Sequence, residues 1–141
     1  MPLPAFIRLI NERMRGAFPS DRQAVLEIHI DGGGTAITTG IKLDIPFPLF
    51  PCTVMAWDLV ADQSGSIVIA LWKAKYANFP PTVADTITAS AKPTLASVTK
   101  NQALKVPTWI KNIDKGDVLR VNVDSVATVT RVTLALALVK R

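Results

Sequence analysis

Alternation of apolar and polar residues with a period of two runs through most of the chain after residue 22. It is clearest in residues 26–31, 41–45, 119–124 and 132–138. Successive side chains of a β-strand lie on opposite faces of its sheet, so this period predicts strands with one buried face. The side chains expected to point inward are Leu26, Ile28, Ile30, Ile41, Leu43, Ile45, Leu119, Val121, Val123, Val132, Leu134, Leu136 and Leu138.

The stretch from residue 52 to residue 81 predicts a β-hairpin at the centre of the sheet. In its first half, Thr53, Met55, Trp57 and Leu59 fall on one face, and Trp57 is expected in the core. Residues 62–65, Asp-Gln-Ser-Gly, have the chemistry of a tight turn. Residues 66–72 are apolar on both faces, which is typical of a central strand that is covered on each side.

Prolines interrupt this pattern at two places. Residues 46–51 contain three prolines, which lack the donor that a strand ladder needs, so they predict a crossover between two sheets. Phe47 or Phe50 is expected to cover the edge of the core there. Residues 76–81 predict a second rigid corner. Residues 82–103 are small and polar, and they predict a long connection with at most one short strand.

The first 22 residues have a different period. Their apolar side chains recur at helical spacing, Gly16 supplies a stop and Pro19 bars continuation, so a short amphipathic helix is predicted. Such a helix is marginal alone and needs a surface to pack on. That surface is either its own domain or a neighbouring subunit, on which residues 1–22 form a docking arm. The apolar stripe of this arm consists of Phe6, Ile7, Leu9, Ile10 and Met14.

These elements predict an all-β fold with a short N-terminal amphipathic helix. Seven or eight strands joined by proline-rich crossovers favour an antiparallel β-sandwich, jelly-roll-like, as the architecture. The predicted division is an N-terminal helical arm at residues 1–22 and a β-sandwich domain at residues 23–141.

The composition indicates that the protein surface has few charged residues. Charged residues make up 19% of the chain, against about 25% in a typical soluble domain. Mean hydropathy is +0.30. Because no apolar run approaches the ~20 residues of a membrane span, we expect no membrane and instead a homo-oligomer or a docked partner that covers apolar surface.

Charge and cysteine content narrow the partners further. The net charge of +5 is spread along the chain, which argues against a nucleic-acid partner. The single Cys52 excludes an intrachain disulfide and a cysteine-clustered metal site. Arg8 interrupts the apolar run that a signal peptide would need, so synthesis in a reducing cytoplasm is expected.

No constellation for chemistry stands out, and we expect no enzyme, no cofactor and no metal. Glu27, His29 and Asp31 share one face of a predicted strand, but a polar row that faces solvent or an interface is the ordinary interpretation. The glycine triplet at residues 32–34 precedes no helix pattern and is expected to be a plain loop. The pair Gly65-Ser66 lacks a nucleophile-elbow pattern. No two carboxylates suggest a glycosidase pair.

Four segments carry a resemblance: AWDLVADQSGSIVI, YANFPPTVADTITASAKPTL, the W-x3-I-x2-GD pattern from Trp109 to Asp117, and DVLRVNVDSVATVTRVTLAL. Together they resemble a β-sandwich domain that recurs in structural proteins of tailed bacteriophages and prophages, over about residues 25 to 141. The resemblance implies a head-decoration or tail-fibre-like virion component, commonly trimeric, and not an enzyme.

The chain departs from that family in its surface, where apolar residues replace expected polar ones at Ala70, Ala74, Leu104, Val106, Ala135 and Ala137. This departure favours contact with other subunits. The candidate interface comprises Trp72, Tyr76, Phe79, Leu104, Val106, Ala135 and Ala137.

The expected function is therefore that of a capsid cement (decoration) protein. It would be made in the host cytoplasm, assemble as a trimer, and bind the major capsid protein on the capsid surface of the virion. The alternative is a tail-fibre or tail-spike module for host recognition, in which Trp72 and Tyr76 form a platform that binds glycans. A small tail or baseplate structural protein differs from the first only in the lattice that it joins.

Overall fold

A computed structural model describes residues 20–141 as one antiparallel, curled sheet of seven strands. Three short 3₁₀ turns accompany the strands, and residues 20–141 contain no α-helix. The predicted helical arm lies almost wholly outside the described residues. The strands are β1 Gln23–Asp31, β2 Gly40–Pro46, β3 Cys52–Lys75, β4 Thr94–Ala103, β5 Asn112–Ile113, β6 Asp117–Ala127 and β7 Arg131–Lys140.

Strand β3 organises the sheet. It is 24 residues long, and its first half pairs with β7 while its second half pairs with β6. The strands β6 and β7 thus lie end to end along one edge of β3, and β4 and β5 pair along β3 as well. β1 extends the sheet beyond β7, and β2 extends it beyond β6. The sheet therefore has a β1–β7 half and a β2–β6 half, joined through β3 and curled around one core.

The predicted hairpin is wrong, because residues 62–65 continue β3 instead of reversing it. Their polar groups form hydrogen bonds with residues 128–131, where β6 ends and β7 begins. The Asp62 carboxylate accepts hydrogen bonds from the backbone N–H groups of Thr130 and Arg131, both at 3.1 Å, and from the Thr130 hydroxyl. The Thr128 hydroxyl donates to the Ser64 carbonyl at 3.0 Å. Residues with the composition of a turn thus lie where the partner of a long strand changes from β7 to β6, and we call residues 62–65 the bend of β3.

The all-β, antiparallel part of the prediction is confirmed, whereas the jelly-roll arrangement is not. The strand order is β1-β7-β3-β6-β2, with β3 running through both halves of a single curled sheet. Residues 46–51 were predicted to cross between two sheets, whereas residues 47–51 connect β2, beside β6, to the start of β3, beside β7, within one sheet, and Pro46 belongs to β2. Phe47 and Phe50 are partly buried and pack against the core.

Inward positions are predicted correctly on β1, β6 and β7, where Ile28, Leu119 and Leu134 are fully buried. Two of the register shifts in the sheet change which predicted side chains point inward. A register shift between Val54 and Ala56 leaves Met55 36% exposed, away from the buried Trp57. A second shift, between Ile41 and Leu43, leaves Ile41 52% exposed, so its predicted inward position is wrong. A bulge adds one residue to one strand and thereby reverses the side-chain phase beyond it.

Residues 82–103 form more strand than predicted. β4 has ten residues, of which Leu95 is buried and most others are exposed. Its small polar side chains suit a strand that has solvent over its face. Before β4, the backbone of residues 86–93 bonds to the edge of β3: the Ile87 N–H donates to the Leu71 carbonyl at 3.0 Å, and the Ile69 N–H donates to the Pro93 carbonyl at 2.9 Å.

The bend of β3 should make stability depend on pH through Asp62. The hydrogen bond from the Thr130 hydroxyl, with those from the Arg131 and Thr130 N–H groups, holds the pKa of Asp62 below its ordinary value. The unfolded chain therefore binds this proton more readily. The contribution of Asp62 to stability is complete above the unfolded carboxyl pKa of about 4 and is lost as pH falls through the folded value. Thermal unfolding from neutral to acidic pH should show Asp62→Asn less stable than wild type at neutral pH, with the gap closing in acid.

Asp58→Asn is the matched control, because Asp58 is an exposed carboxylate on the same strand. This variant should follow the pH profile of the wild type. A gap between wild type and Asp62→Asn that stays constant down to about pH 2 would contradict the proposed linkage.

Candidate functional site

The outer face of the β1–β7 half carries an exposed apolar area at the end where the described chain begins. Val25 on β1 is 66% exposed, Met55 on β3 is 36% exposed, and Ala137 on β7 is half-buried. They surround an open depression of about 680 Å³, here called the outer groove. Its lining residues are Gln23, Ala24, Val25, Met55, Ala137, Leu138 and Val139.

The register of the strands explains the groove. Val25 pairs with Ala137, and Ala137 in turn pairs with Ala56 beside the Met55 bulge. Two large side chains thus flank a small one across three neighbouring strands, and the hollow lies over the alanine. Cross-strand neighbours on one face are ~5 Å apart, so these side chains form a continuous surface.

The same face becomes polar further along β1. Glu27 pairs with Ala135, and the Glu27 carboxylate lies 3.3 Å from His29 Nε2. His29 Nδ1 forms a hydrogen bond with the Thr133 hydroxyl at 3.0 Å. Asp31 accepts a hydrogen bond from the Gly33 N–H at 2.7 Å, which commits its carboxylate to the glycine loop. Among residues 20–141, no three His, Cys, Asp or Glu side chains converge in a way that could hold a metal ion.

A second exposed apolar area lies where β3 ends. Tyr76 is 77% exposed and Phe79 is 46% exposed, and both line a depression of about 410 Å³ together with Asp44, Pro46 and Val118. We call these five residues the aromatic corner. The guanidinium of Arg120 lies 5.2 Å from the centre of the Phe79 ring. It also donates to both Asp44 carboxylate oxygens, at 2.7 and 3.1 Å, which raises the pKa of Arg120.

The candidate interface residues do not form one patch. Ala135 and Ala137 lie together on the outer face of β7, whereas Tyr76 and Phe79 lie at the aromatic corner. Leu104 is 74% exposed in the loop after β4. Trp72 is half-buried and its backbone bridges to Thr86, so it does not join Tyr76 as an open platform.

Val106 is the exception among these residues, since it is only 5% exposed and belongs to the chain's own core. Its side chain is therefore not available to a partner. The arm residues Phe6, Ile7, Leu9, Ile10 and Met14 lie outside the described residues.

The sequence-based interpretation missed Val25, Met55 and Val139 as members of the apolar surface. Val25 occupies the outward row of β1 that continues with Glu27 and His29, and an apolar residue in that row was an available signal. Met55 offered no such signal, because only the bulge moves it to the outer face.

Comparison with known proteins gives no family. No protein-family model matches the sequence, and no curated protein matches it. Within residues 20–141, no helix is both long and apolar enough to span a membrane.

Solved structures from three viruses show a weak likeness. One is the tobacco streak virus coat protein dimer, at 12% identity, TM-score 0.32, with 99% of this chain and 90% of that chain covered. A Nora virus structure has 12% identity and TM-score 0.33, with 84% of this chain and 55% of that chain covered. A structure of infectious bursal disease virus strain Gx has 14% identity and TM-score 0.31, with 84% of this chain and 33% of that chain covered. Similarity of this degree does not establish a shared fold or function.

Proposed function

We propose that this chain is a structural protein of a virion, and specifically a capsid cement protein of a tailed bacteriophage. The observation that carries the proposal is the outer groove, an apolar surface built from three strands of a chain with few charges. Exposed apolar areas of this kind mark contacts with other proteins. The proposed role is mechanical and includes no catalysis.

The resemblance to phage structural proteins supports the proposal, because the segments that carry it cover the central strands of the sheet. The segment AWDLVADQSGSIVI covers the bend of β3, and DVLRVNVDSVATVTRVTLAL covers β6 and the first part of β7. The groove residues Val25, Met55, Ala137 and Val139 fall outside the four segments that carry the resemblance. The two segments thus lie on the central strands of the sheet, and the groove residues Met55 and Ala137 lie next to them in the sequence.

In the proposed mechanism, a trimer lies on the capsid surface and contacts several copies of the major capsid protein. A partner that binds the intact shell and not its dissociated subunits stabilises the shell by mass action. Burying ~300 Å² of apolar surface per contact would contribute ~7 kcal/mol before the loss of motional freedom is subtracted. Several such contacts on one lattice reinforce each other, because each contact after the first is intramolecular.

Cosedimentation of the purified protein with isolated phage heads, tails and host envelope fractions tests this function. Stoichiometric binding to heads is the expected result. Binding to tails alone would replace cement by a tail or baseplate role. Binding to the envelope alone would overturn the proposal in favour of glycan recognition, for which the exposed Tyr76 would be the first residue to mutate.

The docking arm gives a testable prediction within this function. Phe6→Asp combined with Ile10→Asp should abolish head binding, because two carboxylates cannot be buried in an apolar contact without a partner. The thermal unfolding midpoint and the β-type circular dichroism should stay near the wild type. Cosedimentation with heads measures the loss.

Asn11→Asp is the matched control for Ile10→Asp, since the two positions are adjacent and gain the same charge. Asn11 lies on the polar side of the predicted helix, so this variant should bind heads normally. Undiminished head occupancy by the Phe6→Asp/Ile10→Asp variant would show that residues 1–22 are not a docking arm.

A further inference from the structure

The aromatic corner places two rings on the same side of the backbone. Tyr76 begins a 3₁₀ turn, Tyr76–Asn78, and Phe79 follows it. Side chains three residues apart on such a turn lie one above the other, so both rings border the same depression. The Tyr76 N–H donates to the Gly116 carbonyl at 3.0 Å, and the Phe79 N–H donates to the Tyr76 carbonyl at 3.3 Å. The backbone that carries the rings is therefore held in place.

An ion pair with a fixed orientation lies beside the rings. Asp44 on β2 is directly opposite Arg120 on β6, and each of its two oxygens accepts one of the Arg120 hydrogen bonds already described. Arg120 also lies over the Phe79 ring, which restrains the guanidinium from a second side. The Asp44 side chain is 30% exposed. A carboxylate has more lone pairs, and a guanidinium more N–H groups, than this pairing uses, so both can also bond to a ligand.

The chemistry of the corner selects one class of ligand. The two rings, Pro46 and Val118 present apolar surface. Asp44 is the one charged residue in the lining, and its charge is offset by Arg120, so an ionic ligand would gain little net attraction. Acceptors on Asp44 next to donors on Arg120 match adjacent hydroxyl groups, because each hydroxyl both donates and accepts. A sugar ring combines apolar C–H faces with adjacent hydroxyls and carries no charge.

We propose that the aromatic corner binds a neutral pyranose ring. One C–H face of the sugar lies against the Tyr76 ring, and its hydroxyls form hydrogen bonds with Asp44 and Arg120. The depression of about 410 Å³ falls within the range of small-molecule sites, ~300–1,000 Å³. Phe79 supplies the second ring in place of Trp72, which is half-buried. This site is separate from the outer groove, and the inference does not rest on the proposed function.

Titration of the full chain, followed by nuclear magnetic resonance, tests the proposal. The probes are the methyl pyranosides of glucose, galactose, mannose and N-acetylglucosamine. At least one of them should shift the amide signals of Asp44, Tyr76 and Phe79 with a Kd of about 1 mM, as expected for a ligand of this size in one open site. Cyclohexanol is the matched probe, because it has a similar ring without adjacent hydroxyls. It should bind at least tenfold more weakly.

Substitutions at the corner should separate the two halves of the site. Tyr76→Ala removes the ring under the sugar, and Asp44→Asn removes the paired carboxylate at nearly constant shape. Each should weaken binding of the same pyranoside at least tenfold, whereas Tyr76→Phe should bind like the wild type. Leu104→Ala is the matched control, because Leu104 is 74% exposed and lies outside the corner. Since Tyr76 is 77% exposed, Tyr76→Ala should keep the thermal unfolding midpoint of the wild type.

Three results would overturn the proposal. They are the absence of amide shifts with all four pyranosides at about 20 mM, well above the expected Kd, equal binding by Tyr76→Ala and the wild type, and binding of cyclohexanol as tight as that of the pyranoside. If Tyr76→Ala instead lowers the oligomer size in light scattering and no pyranoside binds, the corner is a contact between copies of this chain.

The outcome for this site is distinguishable from that for the proposed function. Pyranoside binding without binding to heads would retain the sugar site and remove the cement function. Binding to heads without pyranoside binding would retain the cement function and remove the sugar site.

Discussion

Replacing Gly65 by alanine should cost the fold at least about 3 kcal/mol, the upper end of what overpacking a core costs. Gly65 lies at the bend of β3, and a Cβ added there would come within 2.6 Å of the Ala127 carbonyl oxygen and 2.7 Å of Val129 Cγ1, and would overlap the Thr128 hydroxyl. Because one of these neighbours is backbone, the clash cannot be relieved by rotating a side chain. Equilibrium unfolding in urea measures the loss.

Gly33→Ala is the control for this substitution. A Cβ at Gly33 meets nothing within 4 Å, and its φ of +70° lies in the left-handed region. Its cost should therefore be the conformational one alone, ~1–2 kcal/mol. Equal losses for the two variants would mean that the close approach at the bend is not what Gly65 provides.

Trp109→Ala should have the second large effect, a loss of ~3–5 kcal/mol, as expected for removing a large aromatic side chain from a core. The indole of Trp109 is 5% exposed, and its Nε1 donates to the Ala91 carbonyl at 2.8 Å. The backbone next to it is tied down as well, since the Ile110 N–H donates to the Ile87 carbonyl at 2.8 Å. The ring thus joins the segments before β4 and before β5 to the sheet.

Two comparisons separate packing from hydrogen bonding at this position. Trp109→Phe keeps most of the buried apolar volume and loses the bond to Ala91, so it should cost ~1 kcal/mol. Tyr76→Ala removes an aromatic ring that is 77% exposed and should change the free energy of unfolding little. Urea unfolding of the three variants gives the order, and a Trp109→Ala variant as stable as the wild type would refute the structural role.

The candidate site was only partly predictable, and the reason differs from residue to residue. Ala135 and Ala137 were correctly placed on the outward face of the last strand, because the alternation of β7 is unbroken. Val106 is expected at the surface only because the resembling family implies a polar residue there, yet it is buried in the core. A side chain in a loop has no period that would show which way it points.

The larger error concerned the long strand. Residues 62–65 have the composition of a turn, and a turn residue satisfies its polar groups with its own backbone. Here the available partners are across the sheet, because the break between β6 and β7 presents the Thr130 and Arg131 N–H groups to Asp62. Local chemistry alone cannot distinguish these two sets of partners.

The sequence by itself determined the all-β class, the proline-rich connection that follows β2 and the buried faces of β1, β6 and β7. Period-two patterns and prolines act locally, so they are visible in one dimension. The tertiary structure decided that β3 bends instead of turning, that bulges turn Met55 and Ile41 outward, and that Val25, Met55 and Ala137 meet around a groove. Each of these depends on strand register, which long-range pairing sets and neighbouring residues do not encode.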